Sequence, residues 1–198
     1  MKNTLKLMAF ALLAFGMIAC GGKQLTQADL KEAEKTLFNA DQSLNVDVAP
    51  QVAEKYCQFV KQHPKDSTAA EWLYHALEIN VLLKNAEKSE ALCNQLLKDY
   101  PKSGWAPMSL FLMGSYVYDE QLNDTARAHV AYQKLIDNYP NSELVDDAKK
   151  SIEYLGMTPE EIMSLFMMEG MPVEEVDEQI PLLTNKKACV THAGFFVG

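Results

Sequence analysis

The sequence predicts an all-α chain: an α-solenoid of about three helical hairpins plus a capping helix. Three observations lead there. No segment sustains the apolar–polar alternation of a strand. Apolar residues instead recur at three- and four-residue intervals in three segments, "AEKYCQFVKQHPKDS", "SEALCNQLLKDYPKS" and "AHVAYQKLIDNYPNS". Each segment ends at the same place on a proline, and Pro64, Pro101 and Pro140 stand 37 and 39 residues apart. A period of that size belongs to stacked supersecondary units that share one core.

Taken in order, the periodicity predicts helices near 26–43, 51–63, 68–84, 86–100, 105–121, 124–138 and 143–155, with a short one from 159. Reading back from each proline gives matched apolar ladders: Tyr56, Phe59 and Val60; Cys93, Leu96 and Leu97; Tyr132, Leu135 and Ile136. Each ladder must stop, because proline cannot extend a helix and pushes the residue before it out of the helical region. His63, Tyr100 and Tyr139 are therefore helix ends. Thr68 with Glu71 has capping-box spacing ahead of "WLYHALEINVLLK", Ser142 is placed to cap "ELVDDAKKSIEYLG", and Gly156 to end it. The last helix opens "TPEEI", with Thr158 as N-cap, Pro159 at the first helical position and Glu161 closing a capping box. Its Ile162, Leu165 and Phe166 are expected to close the open end of the stack, with Met163, Met167, Met168 and Met171 as cap or tail. Trp72, Leu73, Leu77, Phe111 and Leu135 are the main core candidates.

A net charge of −9 with no Lys/Arg cluster excludes a nucleic-acid binder. The N-terminus "MKNTLKLMAFALLAFGMIACGGK" carries Lys2 and Lys6 ahead of an apolar run too short to span a bilayer, which reads as an export signal. Its end, "GMIAC", resembles the bacterial lipobox, with Met17 where Leu is usual. The resemblance implies removal of residues 1–19 as a lipoprotein signal peptide, lipidation of Cys20, and a lipidated linker over 20–25. Gly21 rather than Asp after the cysteine, and the lack of an acidic cluster in "CGGKQLTQ", imply the periplasmic side of the outer membrane. Cys57, Cys93 and Cys189 are odd in number and widely spaced, so they suggest neither a disulfide framework nor a metal site. The helical domain is expected over 26–168 and a poorly ordered C-terminal tail over 169–198.

The hairpin unit, with an aromatic or small residue eight places before a helix-ending proline, resembles the tetratricopeptide repeat. "YQKLIDNYPNSELVDDAKKSIEYLG" is similar to repeats of bacterial envelope lipoproteins related to the β-barrel-assembly and Tol–Pal-associated repeat proteins, and the whole resembles small repeat lipoproteins of Bacteroidetes. Its third repeat is specific. The first two depart from the pattern: Cys93 replaces an aromatic residue, and Trp72 and Ser109 stand where a small residue such as Ala148 is typical. Carrying over the inward-facing positions of first helices gives a partner-binding groove of Glu71, Tyr74, Glu78, Met108, Phe111, Ser115, Tyr118 and Asp119. An aromatic groove with acidic edges would suit a peptide from a partner protein.

Catalytic motifs are missing. There is no HExxH, GxSxG or phosphate-binding glycine loop, and His63, His75, His129 and His192 sit in unrelated settings. "THAGFF" beside Cys189 offers His192 and a thiol, but in an aperiodic tail. The expectation is a non-enzymatic protein without cofactor or metal: a periplasmic scaffold, lipid-anchored to the membrane, that binds other envelope proteins. The alternative is a lipoprotein that binds a ligand or glycan for envelope transport.

Overall fold

The computed structural model describes residues 24–168. Eight helices run through them: α1 (Gln27–Glu34), α2 (Ala49–Gln62), α3 (Ala69–Leu82), α4 (Ala86–Asp99), α5 (Trp105–Leu112), α6 (Thr125–Asn138), α7 (Val145–Glu153) and α8 (Pro159–Met168). α5 continues without a break into a π-helical segment, Met113–Gln121. Among the described residues the β content is an isolated bridge between Phe38 and Leu44. The expected signal peptide with Cys20, and the tail with Met171, Cys189 and His192, lie outside the described residues.

The three proline joints share one backbone. His63, Tyr100 and Tyr139 have φ/ψ of −129/57, −131/48 and −132/54 degrees. At each, the N–H donates back to the helix it ends, to Phe59, Leu96 and Leu135 carbonyls at 2.8, 2.9 and 2.9 Å. The carbonyl of each then accepts from the residue three ahead, Asp66, Ser103 and Ser142, at 3.0, 3.1 and 2.9 Å. A third bond starts the next helix: Ala69, Ala106 and Val145 donate to those same three residues. Three bonds recur three times, so the joint is a built turn as well as a break.

Turns inside the hairpins repeat too. Lys84 and Asn123 both take the left-handed conformation, at φ 56 and 50 degrees. Asn85 and Asp124 then cap α4 and α6, their side chains accepting from Lys88 and Arg127 N–H at 3.2 and 2.9 Å. The third such turn uses Gly156 at φ 81, where a side chain would be strained.

Several local expectations change. The first helix stops at Glu34 rather than near 43, because short polar side chains win the backbone from the helix. Thr36 Oγ1 donates to the Ala33 carbonyl at 2.6 Å, and Asp41 accepts from the Ser43 N–H and hydroxyl at 3.0 and 2.6 Å. Thr68 does not cap α3 through its side chain; its N–H and hydroxyl instead donate to Asp66, at 2.9 and 2.7 Å. Ser142 likewise accepts from Leu144 ahead of α7. A capping box the periodicity overlooked, Thr26 with Asp29, opens α1, while Thr158 and Glu161 form the expected one at α8, at 3.2 and 2.7 Å.

α1, α3, α5 with the π segment, and α7 form one layer; α2, α4, α6 and α8 form the other. The core between them holds all five candidates, Trp72, Leu73, Leu77, Phe111 and Leu135. Equivalent positions across successive joints meet as pairs of complementary size. Tyr56 packs on Trp72 with ring centroids 4.9 Å apart, Cys93 Sγ lies 3.6 Å from Ser109 Oγ, and Tyr132 shares a core with Ala148. The departures at Cys93 and Ser109 thus offset each other, as close packing requires. Cys57 and Cys93 are both free thiols, with Cys57 pushed up to about 11 by burial. Ile162 and Phe166 are buried at the end, Phe166 against Tyr154 at 5.6 Å, whereas Met167 and Met168 stay exposed.

Candidate partner-binding groove

The first-helix layer carries the candidate groove, and α3 is its centre. On that helix Glu71, His75 and Glu78 follow at four- and three-residue steps, so they share one face. His75 Nδ1 donates to Glu78 Oε2 at 2.7 Å, and its Nε2 lies 3.9 Å from Glu71 Oε1. Glu78 is 1% exposed, and burial pushes its carboxyl above the ordinary range, with the His75 and Tyr74 hydrogen bonds opposing the rise. Glu34 of α1 is close enough to feel both His75 and Glu71, and its own partial burial pushes it up as well. Trp105, the first residue of α5, closes the other side: its ring lies 4.9 Å from Tyr74 and 5.7 Å from His75.

The eight expected groove residues divide into two groups. Tyr74, Glu78, Phe111 and Ser115 are buried, a correction to the expectation that they offer side chains to a partner. Tyr74 is stacked on Trp105, Glu78 holds His75, Phe111 packs on Tyr132 at 5.4 Å, and Ser115 Oγ donates to the Phe111 carbonyl at 2.9 Å. Glu71, Met108, Tyr118 and Asp119 remain partly exposed. Tyr118 is committed elsewhere. Arg127 lies over its ring at 4.8 Å while bonding Glu90 and Asp124, both at 2.7 Å. That contact ties α4, the π segment and α6 together, and the Tyr118 hydroxyl is pushed up to about 12, chiefly by burial.

The π segment explains why Ser115, Tyr118 and Asp119 do not continue the face of Met108. Bonding to the fifth residue widens each turn, so the register of a 3.6-residue helix is lost beyond Leu112. Leu122 N–H donates to Val117 O in that pattern, and Gln121 Nε2 reaches across to the Val81 carbonyl at 2.9 Å, satisfying the end of α3. Gly114 allows the segment to approach α6, since a Cβ there would sit 2.9 Å from the Tyr132 ring.

Sequence reasoning missed Glu34, His75 and Trp105. His75 was legible from its four-residue step from Glu71. Glu34 was hidden by the overlong first helix, and Trp105 by its place at a helix start. Among the described residues no group of three or more His, Cys, Asp or Glu could hold a metal ion. A cleft of about 480 Å³ lies on the other layer, between α4 and α6, and is lined by Asn94, Lys98, Lys134, Asn138 and Tyr139 among others.

Residues 108–142 match the tetratricopeptide repeat family model. The match runs from α5 through the π segment and α6 to the Pro140 joint, and takes in Ser109 together with the first part, residues 132–142, of the stretch whose sequence pattern is most specific. No curated protein and no solved structure matches the chain. Eight helices, no strands among the described residues, and this repeat together make the fold a tetratricopeptide-like α-solenoid. Such repeats generally mediate protein–protein interactions and are typically non-enzymatic.

Proposed function

We propose that the chain is a lipid-anchored, periplasm-facing scaffold of the outer membrane, and that its first-helix layer holds a protein partner in a cell-envelope complex. The observation that carries the binding reading is the patch where Glu34 and Glu71 stand partly exposed around His75 beside the half-buried Trp105. Carboxylates next to indole suit an extended segment with basic and apolar side chains. Support for the anchor comes from "GMIAC" and the basic and apolar stretches before it. No helix of the described residues is long and apolar enough to cross a membrane.

Two experiments test this. Fatty-acid labelling of the wild type and of Cys20→Ser should show label only in the former; label in both removes Cys20 as the anchor. Co-purification followed by mass spectrometry should recover envelope proteins with the wild type and lose them with Glu71→Lys. Unchanged recovery by the folded variant removes the groove. The cleft between α4 and α6, with two amides and a tyrosine ring, favours a second reading as a glycan- or ligand-binding lipoprotein serving envelope transport. That reading requires a lone protein whose melting temperature rises with a saccharide and falls back in Tyr139→Ala.

A further inference from the structure

The two gaps between successive second helices, α2 to α4 and α4 to α6, use the same positions and end differently. Asn94, Lys98 and Pro101 on one side and Lys134, Asn138 and Tyr139 on the other line the cleft at the second gap. Counted from the joint prolines, their counterparts at the first gap are Cys57, Lys61 and Pro64, with Gln95, Asp99 and Tyr100. There the Tyr100 hydroxyl donates to the Pro64 carbonyl at 3.1 Å and bridges the gap. Tyr139 makes no such bond to Pro101. Its hydroxyl is without a hydrogen-bond partner among the described residues, and about 480 Å³ stands open beside it.

The side chains differ in one direction. Where the first gap has Cys57, Gln95 and Asp99, the second has Asn94, Lys134 and Asn138: a thiol and an acid give way to amides, and a neutral amide to a cation. Lys61 thus has a carboxylate at its gap, whereas Lys98 and Lys134 have none among the residues that line theirs. Both are exposed and without an ion pair among the described residues. Asp137, on the same helix as Lys134, accepts instead from Gln133 at 2.9 Å. In a chain of net charge −9, an open cleft with two lysines and no acid marks the place for an anion.

The length of the cleft and its other polar groups narrow that anion. From Asn94 to Pro101 the wall runs about two helical turns, or about 10 Å. About three extended peptide residues would fill it, with only Leu97 and Pro101 as aliphatic lining to anchor them. A small saccharide fits better. The volume falls among those of small-molecule sites, about 300–1,000 Å³. The amides of Asn94 and Asn138 both donate and accept, as sugar hydroxyls do, and Tyr139 joins an aromatic ring to its unpartnered hydroxyl. We propose that the cleft holds an acidic saccharide, a uronate, with its carboxylate at Lys98 and Lys134 and its hydroxyls at Asn94, Asn138 and Tyr139. This rests on the second reading of the chain, as a glycan-binding lipoprotein, and names the class of glycan.

Titration calorimetry of the purified full-length protein tests it, with digalacturonate as probe and its methyl ester as the neutral twin. Digalacturonate should bind about tenfold tighter than the ester. Lys98→Gln and Lys134→Gln should each remove most of that preference, while Lys61→Gln, at the bridged gap, leaves it unchanged. Equal affinity for acid and ester, lost together in Tyr139→Ala, would keep the glycan reading and overturn the acidic one. Weakening by Lys61→Gln as large as by Lys98→Gln would trace the preference to net charge and overturn the site. Inorganic phosphate or an oligoglutamate binding as tightly as digalacturonate would make the occupant a plain anion or an acidic peptide, and overturn the saccharide. Binding of neither acid nor ester refutes the proposal and the glycan reading together, and leaves standing the partner face that Glu71→Lys tests.

Discussion

α3 and α7 begin from the same joint and occupy the same place in their hairpins, yet they live in different surroundings. From Trp72 to Val81 every residue of α3 is buried, including His75, Glu78 and Asn80. In α7 only Ala148 is buried, and Asp146, Asp147, Lys149 and Lys150 face solvent. Local sequence sets the start of each helix; the number of neighbours sets what it must bury. α3 packs against α2, α4 and α5, whereas α7 meets α6 on one side and is crossed by α8 near its end. In a solenoid, stability is a sum over such interfaces, so the inner helix should carry most of it.

The largest expected effect tests that ranking. Leu77→Ala, at a fully buried position of α3, should cost about 2–5 kcal/mol. Ile152→Ala, at a half-buried position of α7, should cost roughly half as much or less. Urea melts of the two variants check it. Equal costs would mean that the end of the stack is as tightly coupled as its centre.

How much of this was legible follows the same division. The joints, the ladders Tyr56–Val60 and Tyr132–Leu135, and the core at Leu73 and Leu77 rest on periodicity and proline, which are local. Non-local facts were hidden. A helix whose every face is buried shows no polar side, so the burial of Tyr74 and Glu78 could not be told from their spacing. The π segment has no compositional mark except Gly114, whose reason is Tyr132 on another helix. Four of the residues assigned to the groove, Tyr74, Glu78, Phe111 and Ser115, are ones that the core keeps.

Gly114→Ala sharpens the comparison at the junction between centre and end. The added methyl would meet Tyr132 at 2.9 Å, and that tyrosine is fully buried with little room to retreat. A cost of about 1–3 kcal/mol is expected, read as a lower melting temperature. Phe111 and Tyr132 should loosen together, since their rings are in contact, and α3 should keep its amide-exchange protection. Loss of protection in α3 as well would show that the two core regions unfold as one.

Acid should separate the two regions by charge. Glu78 and Glu34 have carboxyls raised above the ordinary 4.5, mainly by burial. The folded chain therefore holds protons that the unfolded chain releases in that window, and stability falls as pH rises from about 4.5 through the raised values. Lowering the pH through the raised values toward about 4.5 should raise the melting temperature. Glu78→Gln, which can still accept from His75, should flatten the slope. An unchanged slope would point to Glu34 alone. The lowered carboxyls of Glu32, Asp41, Asp66 and Asp124 act in the opposite sense, their contribution being lost as pH falls below the ordinary carboxylate range.

The smallest effect concerns the joints that make α3 and α7 comparable at all. If proline itself ended each helix, Pro64→Ala and Pro140→Ala would let α2 and α6 run on, and the stack would lose its register. The structure offers a different cause. At both sites three backbone hydrogen bonds hold the turn, and two of them use the residue before the proline. Pro64 and Pro140 are exposed. Alanine should then cost about 0.4–1 kcal/mol, arising largely from the freer unfolded chain, with helix content by circular dichroism unchanged. A gain in helix content, or a loss several times larger, would return the prolines to the role of breakers.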